Sequence, residues 1–230
     1  MREILIERLY SADEIKKIDE KINKLNNSKM DLVYFLTLRL ISTIVLFFLL
    51  LLKLKLGYII APVVAFVYYF LYEKFFLDSK LKKREKKLDK EALVFFEILT
   101  LTLESGKNLQ NALEVTVDNV DSELSDEFKR TLFEVKFGKS LLEALNDTKK
   151  RIPSETINNI ILNMTQTNIF GTNIIDTMYS QVEFLREKQV LSIREEINKL
   201  PNKISILSVL FIIPIILLMV LGPFVISYLG

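Results

Sequence analysis

Cysteine, histidine and tryptophan are all missing from this chain of 230 residues. Without cysteine there is no disulfide framework and no thiol nucleophile. Lacking histidine as well, the chain cannot build the usual zinc sites or the Ser-His and Cys-His nucleophile arrangements. Glycine and proline are scarce, at six and five residues. The glycines are isolated, and no G-x-x-x-x-G-K phosphate loop occurs; Gly106-Lys107 and Gly138-Lys139 lack the preceding glycine and strand. Paired acids such as Glu195-Glu196 are adjacent on a helix, point in different directions and make no catalytic dyad by themselves. Together these absences remove much of enzymology: no catalytic, cofactor-binding or metal-ligating residues are assigned.

Half of the chain is apolar, and three stretches are apolar and almost uncharged. Between Asp31 and Lys53 the only charge is Arg39; between Lys55 and Glu73 there is none; Ile204–Gly230 is uncharged throughout. A bilayer core about 30 Å thick needs roughly twenty helical residues. The pattern therefore predicts spans at about 32–52 and 56–77, joined by a tight turn at Lys53–Gly57, and a third at 204–229. Arg39 reads as an arginine snorkelling to the interface, with a buried pairing role toward another subunit as the sharper alternative. No Asp, Glu or Lys lies deep within a span, which argues against a proton- or sodium-coupled transporter.

Net charge is only +2, but it is unevenly placed. Residues 80–90 carry Lys80, Lys82, Lys83, Arg84, Lys86, Lys87 and Lys90 against two acids, a local +5, whereas 91–200 carries twelve bases and eighteen acids, a local −6. A basic collar on an acidic body does not suit a nucleic-acid binder. By the positive-inside rule, the collar with Lys199 and Lys203 places 78–203 and the N-terminus in the cytoplasm and the C-terminus outside. Lys53 and Lys55, in the external turn, are the counter-evidence. The collar reads as a membrane anchor against anionic headgroups. The acids Asp118, Asp121, Glu123, Asp126 and Glu127 read as a solvated face, or as a docking surface for a basic partner.

One pattern recurs. Gly106-Lys107-Asn108-Leu109 with Ala112-Leu113 is followed thirty-two residues later by Gly138-Lys139-Ser140-Leu141 with Ala144-Leu145, and thirty-three after that by Gly171-Thr172-Asn173-Ile174 with Thr177-Met178. Glycine is the usual αL residue that ends a helix. Asn or Ser two positions on caps the next one, and the small residue lets that helix approach its neighbour. Each copy reads as a helix–turn–helix corner.

Leu88, Ala92, Phe95, Leu99 and Leu103 repeat at three and four residues, a core stripe. With the corners this predicts six helices, at 80–105, 108–119, 122–137, 140–151, 154–169 and 172–200. Pro153 is expected at the first position of the fifth, and Pro201 is expected to break or kink the chain after the sixth. The organisation expected is an N-terminal amphipathic segment (1–31), a membrane hairpin (32–77), a helical region (78–203) and a last span (204–229). Residues 1–31 begin without an apolar h-region, so no cleavable signal peptide is expected. A capping box at Ser11–Glu14 would open a helix with Ile15, Ile18, Ile22 and Leu25 on one face. That stripe would dock on protein, either this chain or a partner. The fold class is an all-α membrane protein: a cytoplasmic six-helix antiparallel bundle with three transmembrane helices.

These residues also carry a family likeness. Leu103-Glu104-Ser105-Gly106, Phe137-Gly138-Lys139-Ser140-Leu141 and Asn168-Ile169-Phe170-Gly171 followed by Phe184-Leu185-Arg186 resemble the type II secretion system F domain. Arg194 to Lys203, through Lys199-Leu200-Pro201-Asn202, with Pro214 and Gly222-Pro223 beyond, is similar to the TadB/TadC-like members of tight-adherence pilus systems. The resemblance covers about 85–225. It implies an inner-membrane platform protein, without chemistry of its own, that couples a hexameric secretion ATPase to pilin assembly. Implied partners are that ATPase, a second F-domain platform protein, prepilin or pseudopilin subunits and the lipid bilayer, with an oligomeric state above one. The residues leave two competitors. A membrane-anchored helical-repeat scaffold suits the period near 33, and a membrane enzyme or carrier would need ionisable groups within the spans.

Overall fold

The computed structural model describes residues 10–25, 31–53, 57–170 and 173–229; within its helices the side chains of 12, 57, 168–170, 199–207, 210, 218 and 221–229 lie outside that description. Every described element is helical. Two compact units are present, Met1–Val182 and Glu183–Gly230.

The first unit begins with α1 (Ala12–Asn23), then α2 (Leu32–Lys53) and α3 (Gly57–Glu73). Ser11 has the extended backbone of an N-cap but its side chain accepts no hydrogen bond, so the capping box expected at Ser11–Glu14 is not made. The apolar stripe of α1 does dock on its own chain. Ile18 and Ile22 are buried with Tyr10, Phe35, Leu36, Tyr72 and Leu77. α2 packs on α3. Their outward faces are lined with exposed large apolar side chains such as Ile41, Phe48, Val63 and Phe66, which water would not tolerate over such an area. Among the described residues, Leu32–Lys53 and Tyr58–Glu104 are the helices long and apolar enough to cross a membrane. The turn residues 54–56 lie outside the described residues.

Helix α3 does not end at the edge of the apolar run. It continues through a five-residue π-helical segment, Lys74–Asp78, into α4 (Ser79–Glu104). After α4 come α5 (Leu109–Asn119), α6 (Glu123–Lys136), α7 (Leu141–Arg151), α8 (Glu155–Phe170) and α9 (Ile174–Leu229). Each consecutive pair from α4 to α8 is in contact, and α4 also meets α6 and α8. The expected stripe Leu88, Ala92, Phe95, Leu99 and Leu103 is buried on α4, joined by Phe96. Phe95 stacks on Phe128 of α6 with ring centroids 4.7 Å apart. Ala112, Leu113, Leu124, Leu145, Ile157, Ile160 and Ile161 fill the rest of this core.

Two proline expectations need correction. Ser154, not Pro153, opens α8: its Oγ accepts from the Ile157 N–H at 3.2 Å and its carbonyl from Asn158 at 3.1 Å. Pro153 therefore stands before the cap. Pro201 does not end the sixth helix, because α9 continues through it from Ile174 to Leu229. Proline's fixed φ is itself helical, so the helix can continue past it at the cost of one hydrogen bond and a clash with the carbonyl four residues back. The second unit is the part of α9 from Glu183 onward. Its described side chains between Val209 and Val220 are exposed and apolar, Phe211, Ile215 and Met219 among them.

Candidate functional site

Charged residues standing on apolar helix faces form the most unusual feature of the first unit. The first group sits at the base of the α2–α3 hairpin. Lys21 of α1 reaches Glu73 Oε1 at 2.7 Å and Asp78 Oδ1 at 2.9 Å. Those two acids are the last residue of α3 and the last of the π segment, so one ammonium staples across the widened turn. Burial opposes the charge on Lys21, but the hydrogen bonds it donates to Glu73 and Asp78 outweigh this and hold the amine above its usual range. Glu73 is shared, since Arg39 Nη1 of α2 lies 3.8 Å from its Oε2. The Arg39 Nε donates to the Tyr69 carbonyl at 3.2 Å, and the guanidinium lies 3.7 Å from the Tyr69 ring centroid. Arg39 is thus buried and paired within its own chain.

The second group is built round Arg84 and links four helices. Its Nε donates to Glu123 Oε1 and its Nη2 to Glu127 Oε1, each at 2.6 Å. Its Nη1 donates to the Arg151 carbonyl at 2.8 Å and to the Lys24 carbonyl at the end of α1. Glu127 is 1% exposed and also accepts from Arg151 Nε at 3.1 Å. Arg151 continues to Glu134 Oε1 at 3.0 Å and to the Thr148 hydroxyl at 3.1 Å. Lys139, beside the Gly138 corner, bridges Glu134 at 2.8 Å and Asp147. The hydrogen bonds from Lys139 and Lys150 hold the Asp147 carboxyl down to about 2. Burial pushes Glu134 and Glu123 up, but their basic partners prevail: Lys139 and Arg151 lower the first, Lys87 and Arg84 the second. A fully satisfied network of this kind fixes geometry even where its net stabilisation is small.

The structure sorts the residues singled out in the sequence. Gly106 and Gly138 adopt φ of 82° and 97°, a left-handed backbone that the corners require. Asn108 accepts from the Asn111 N–H at 2.8 Å, and Ser140 forms a two-way capping box with Glu143. Gly171 lies outside the described residues; Asn173 accepts from the Ile175 N–H at 3.2 Å. Of the collar, Lys80, Lys82, Lys83, Lys86 and Lys87 are exposed. Arg84 is not a collar cation, because it is buried in the network just described. Lys87 is committed to Glu123 at 2.9 Å. Lys80, Lys83, Arg84, Lys87, Glu123 and Leu25 border a groove of about 310 Å³.

Asp118, Asp121 and Asp126 are exposed. Glu123 and Glu127 are drawn inward to arginines, so the acidic face is smaller than the sequence suggests. Pro214 is exposed on α9, whereas Lys199, Pro201, Lys203, Gly222 and Pro223 lie in α9 with side chains outside the described residues. Lys21, Glu73, Glu134, Asp147 and Arg151 were not singled out in the sequence. A signal existed for the central pair: Arg84 precedes Leu88 and Ala92 by four and eight residues, and Glu127 lies between Leu124, Phe128 and Thr131 on a buried stripe. A charge on an apolar stripe needs a partner.

Among the described residues no cluster of three or more potential metal ligands occurs. The arrangement ties α1, the base of the hairpin, α4, α6 and α7 together by ion pairs and by the Arg84 hydrogen bond to the Lys24 carbonyl. Compared with known families, the chain matches the model described as type II secretion system protein F over residues 95–222. No curated protein and no solved structure matches it.

Proposed function

The chain belongs to the family of type II secretion system protein F, and from that premise we propose that it is the inner-membrane platform of a secretion or type IV-like pilus machine. In this reading it couples a cytoplasmic secretion ATPase to the assembly of pilin subunits and carries out no chemistry itself. The helical body of 78–203 faces the cytoplasm, and the chain spans three times, with residues 204–229 as the third span. The terminal motif around Pro201, Pro214 and Pro223 favours the tight-adherence branch. Partners are the ATPase, a second F-domain protein, prepilins and further copies of this chain.

The observation that carries the mechanism is the single helical rod Tyr58–Glu104. It leaves the apolar hairpin, passes the stapled π segment and becomes the central helix of the body, fixed there by Arg84. Rotation or tilt imposed on α4 to α7 would reach the hairpin through that rod. The exposed lysines of the collar would hold the rod at the headgroup layer, at roughly 1 kcal/mol per basic residue near the surface.

The test uses full-length protein in liposomes with a secretion ATPase from the same host. Nucleotide-dependent co-flotation of the ATPase is expected. If no secretion ATPase of the host binds under any nucleotide condition, the coupling role falls.

A further inference from the structure

The groove between α5 and α6 is left unused by this account. It measures about 260 Å³, and its two walls carry opposite charge. Glu114 and Asp118, four residues apart on α5, form one wall; Lys129 and Lys136, seven apart on α6, form the other. Val117 and Leu132 lie buried at its floor. Phe133 lies between the lysines, 59% exposed, and its ring is 4.5 Å from that of Phe137, which is 77% exposed. Two neighbouring phenylalanines open to water at the edge of a groove mark a contact surface.

The charges indicate which contact. Glu114, Asp118 and Lys136 have no ion-pair partner within 4.0 Å among the described residues, and Lys129 reaches only Asp126, at 3.8 Å. A uniformly basic or acidic partner would meet like charge along one wall. A second copy, turned by a two-fold axis along the groove, places each acidic wall on the other copy's lysines.

We propose that the α5–α6 groove is the surface through which two copies of this chain pair. This deepens the oligomer expected of a platform by naming its contact, and it is independent of whether the ATPase binds.

Charge exchange in the full-length chain decides the matter, read as molar mass by light scattering in detergent and as energy transfer between labelled copies in liposomes. The pair Glu114→Lys/Asp118→Lys, and separately Lys129→Glu/Lys136→Glu, should weaken self-association at least about tenfold. The chain carrying all four changes should pair again, because the walls have only swapped sign. Thermal unfolding of each variant checks that the fold survives, and Phe133→Ser should lose pairing without charge change. A wild-type chain that stays monomeric in both media overturns the proposal. So does pairing that survives either one-sided reversal, or a four-change chain that folds and does not pair. Variants that remain dimeric while losing another bound protein would assign the groove to that protein instead.

Discussion

Glu127 is buried and held by two guanidiniums, and its removal would leave Arg84 and Arg151 short of their shared acceptor. Breaking a buried pair from one side typically costs about 3–5 kcal/mol. Glu127→Ala should therefore lower the thermal midpoint of the detergent-solubilised chain far more than Asp126→Ala, one residue away and exposed, whose effect should stay within about 0.5 kcal/mol. Equal midpoints for the two variants would deny the network any structural role. The acids of this network also set a pH response. Asp147, Glu134 and Glu123 titrate lower in the folded chain than their ordinary values of 3.8, 4.5 and 4.5. The unfolded chain thus binds more protons between those values and the folded ones, and stability falls as pH falls. The contribution is complete above about pH 4.5 and is lost toward pH 2, the folded value of Asp147. Denaturation midpoints measured from pH 6 to pH 2.5 should fall most steeply in the lower half of that range, and Asp147→Asn should flatten the curve. At this scale the glycine corners were legible because Gly106 and Gly138 obey a local rule. The partners of Arg84 were not, since they lie 39 to 67 residues away.

Helices were read from periodicity, and the elements α4 to α8 begin and end within about one residue of the expected bounds: Asn or Ser caps the starts of α5 to α8, and Gly106 and Gly138 follow the ends of α4 and α6. What periodicity could not show is how α3 joins α4. The apolar run gives way to the lysines of the collar with no glycine or proline to mark a break, and the chain passes from one helix to the next by a π turn. Such a turn inserts one residue, rotates everything beyond it relative to the span, and often sits where function needs a local change of register. Here Lys21 bridges the acids at its two ends, and Tyr72 stacks on Phe76 across it at 4.6 Å. The staple should hold the turn closed. Lys21→Met, which keeps the length and loses the charge, should speed amide exchange at Lys74–Asp78 at least about fivefold. Exchange in the core of α4 around Phe95 should not change. Unaltered exchange at the π segment would mean that the apolar contacts of Leu77 and Tyr72 hold the turn without the ion pairs.

Charge at the scale of the whole chain is organised along the rod: an apolar hairpin, a collar at 80–90 with net +5, and an acidic region beyond it. If that collar lies at the cytoplasmic leaflet, then α4 to α8 lie on the same side and the turn near Lys55 lies on the other. Cysteine is absent from the chain, so a single introduced thiol reports its side without background. Asp121 is exposed between α5 and α6, which makes Asp121→Cys a tolerant probe of the helical body. It should resist an impermeant maleimide in intact cells and react once the inner membrane is permeabilised. Lys55→Cys should do the reverse of the first result and label in cells whose outer barrier alone is opened. The two probes have to disagree, because a two-span hairpin separates them by one full crossing. Labelling at 121 from outside would invert the chain and remove the ATPase from reach of α4 to α8. Labelling at neither site before permeabilisation would mean that Leu32–Lys53 and Tyr58–Glu73 enter the membrane without crossing it. In that case the collar would anchor a surface-bound protein, and the rod would have no far side from which to move a pilin.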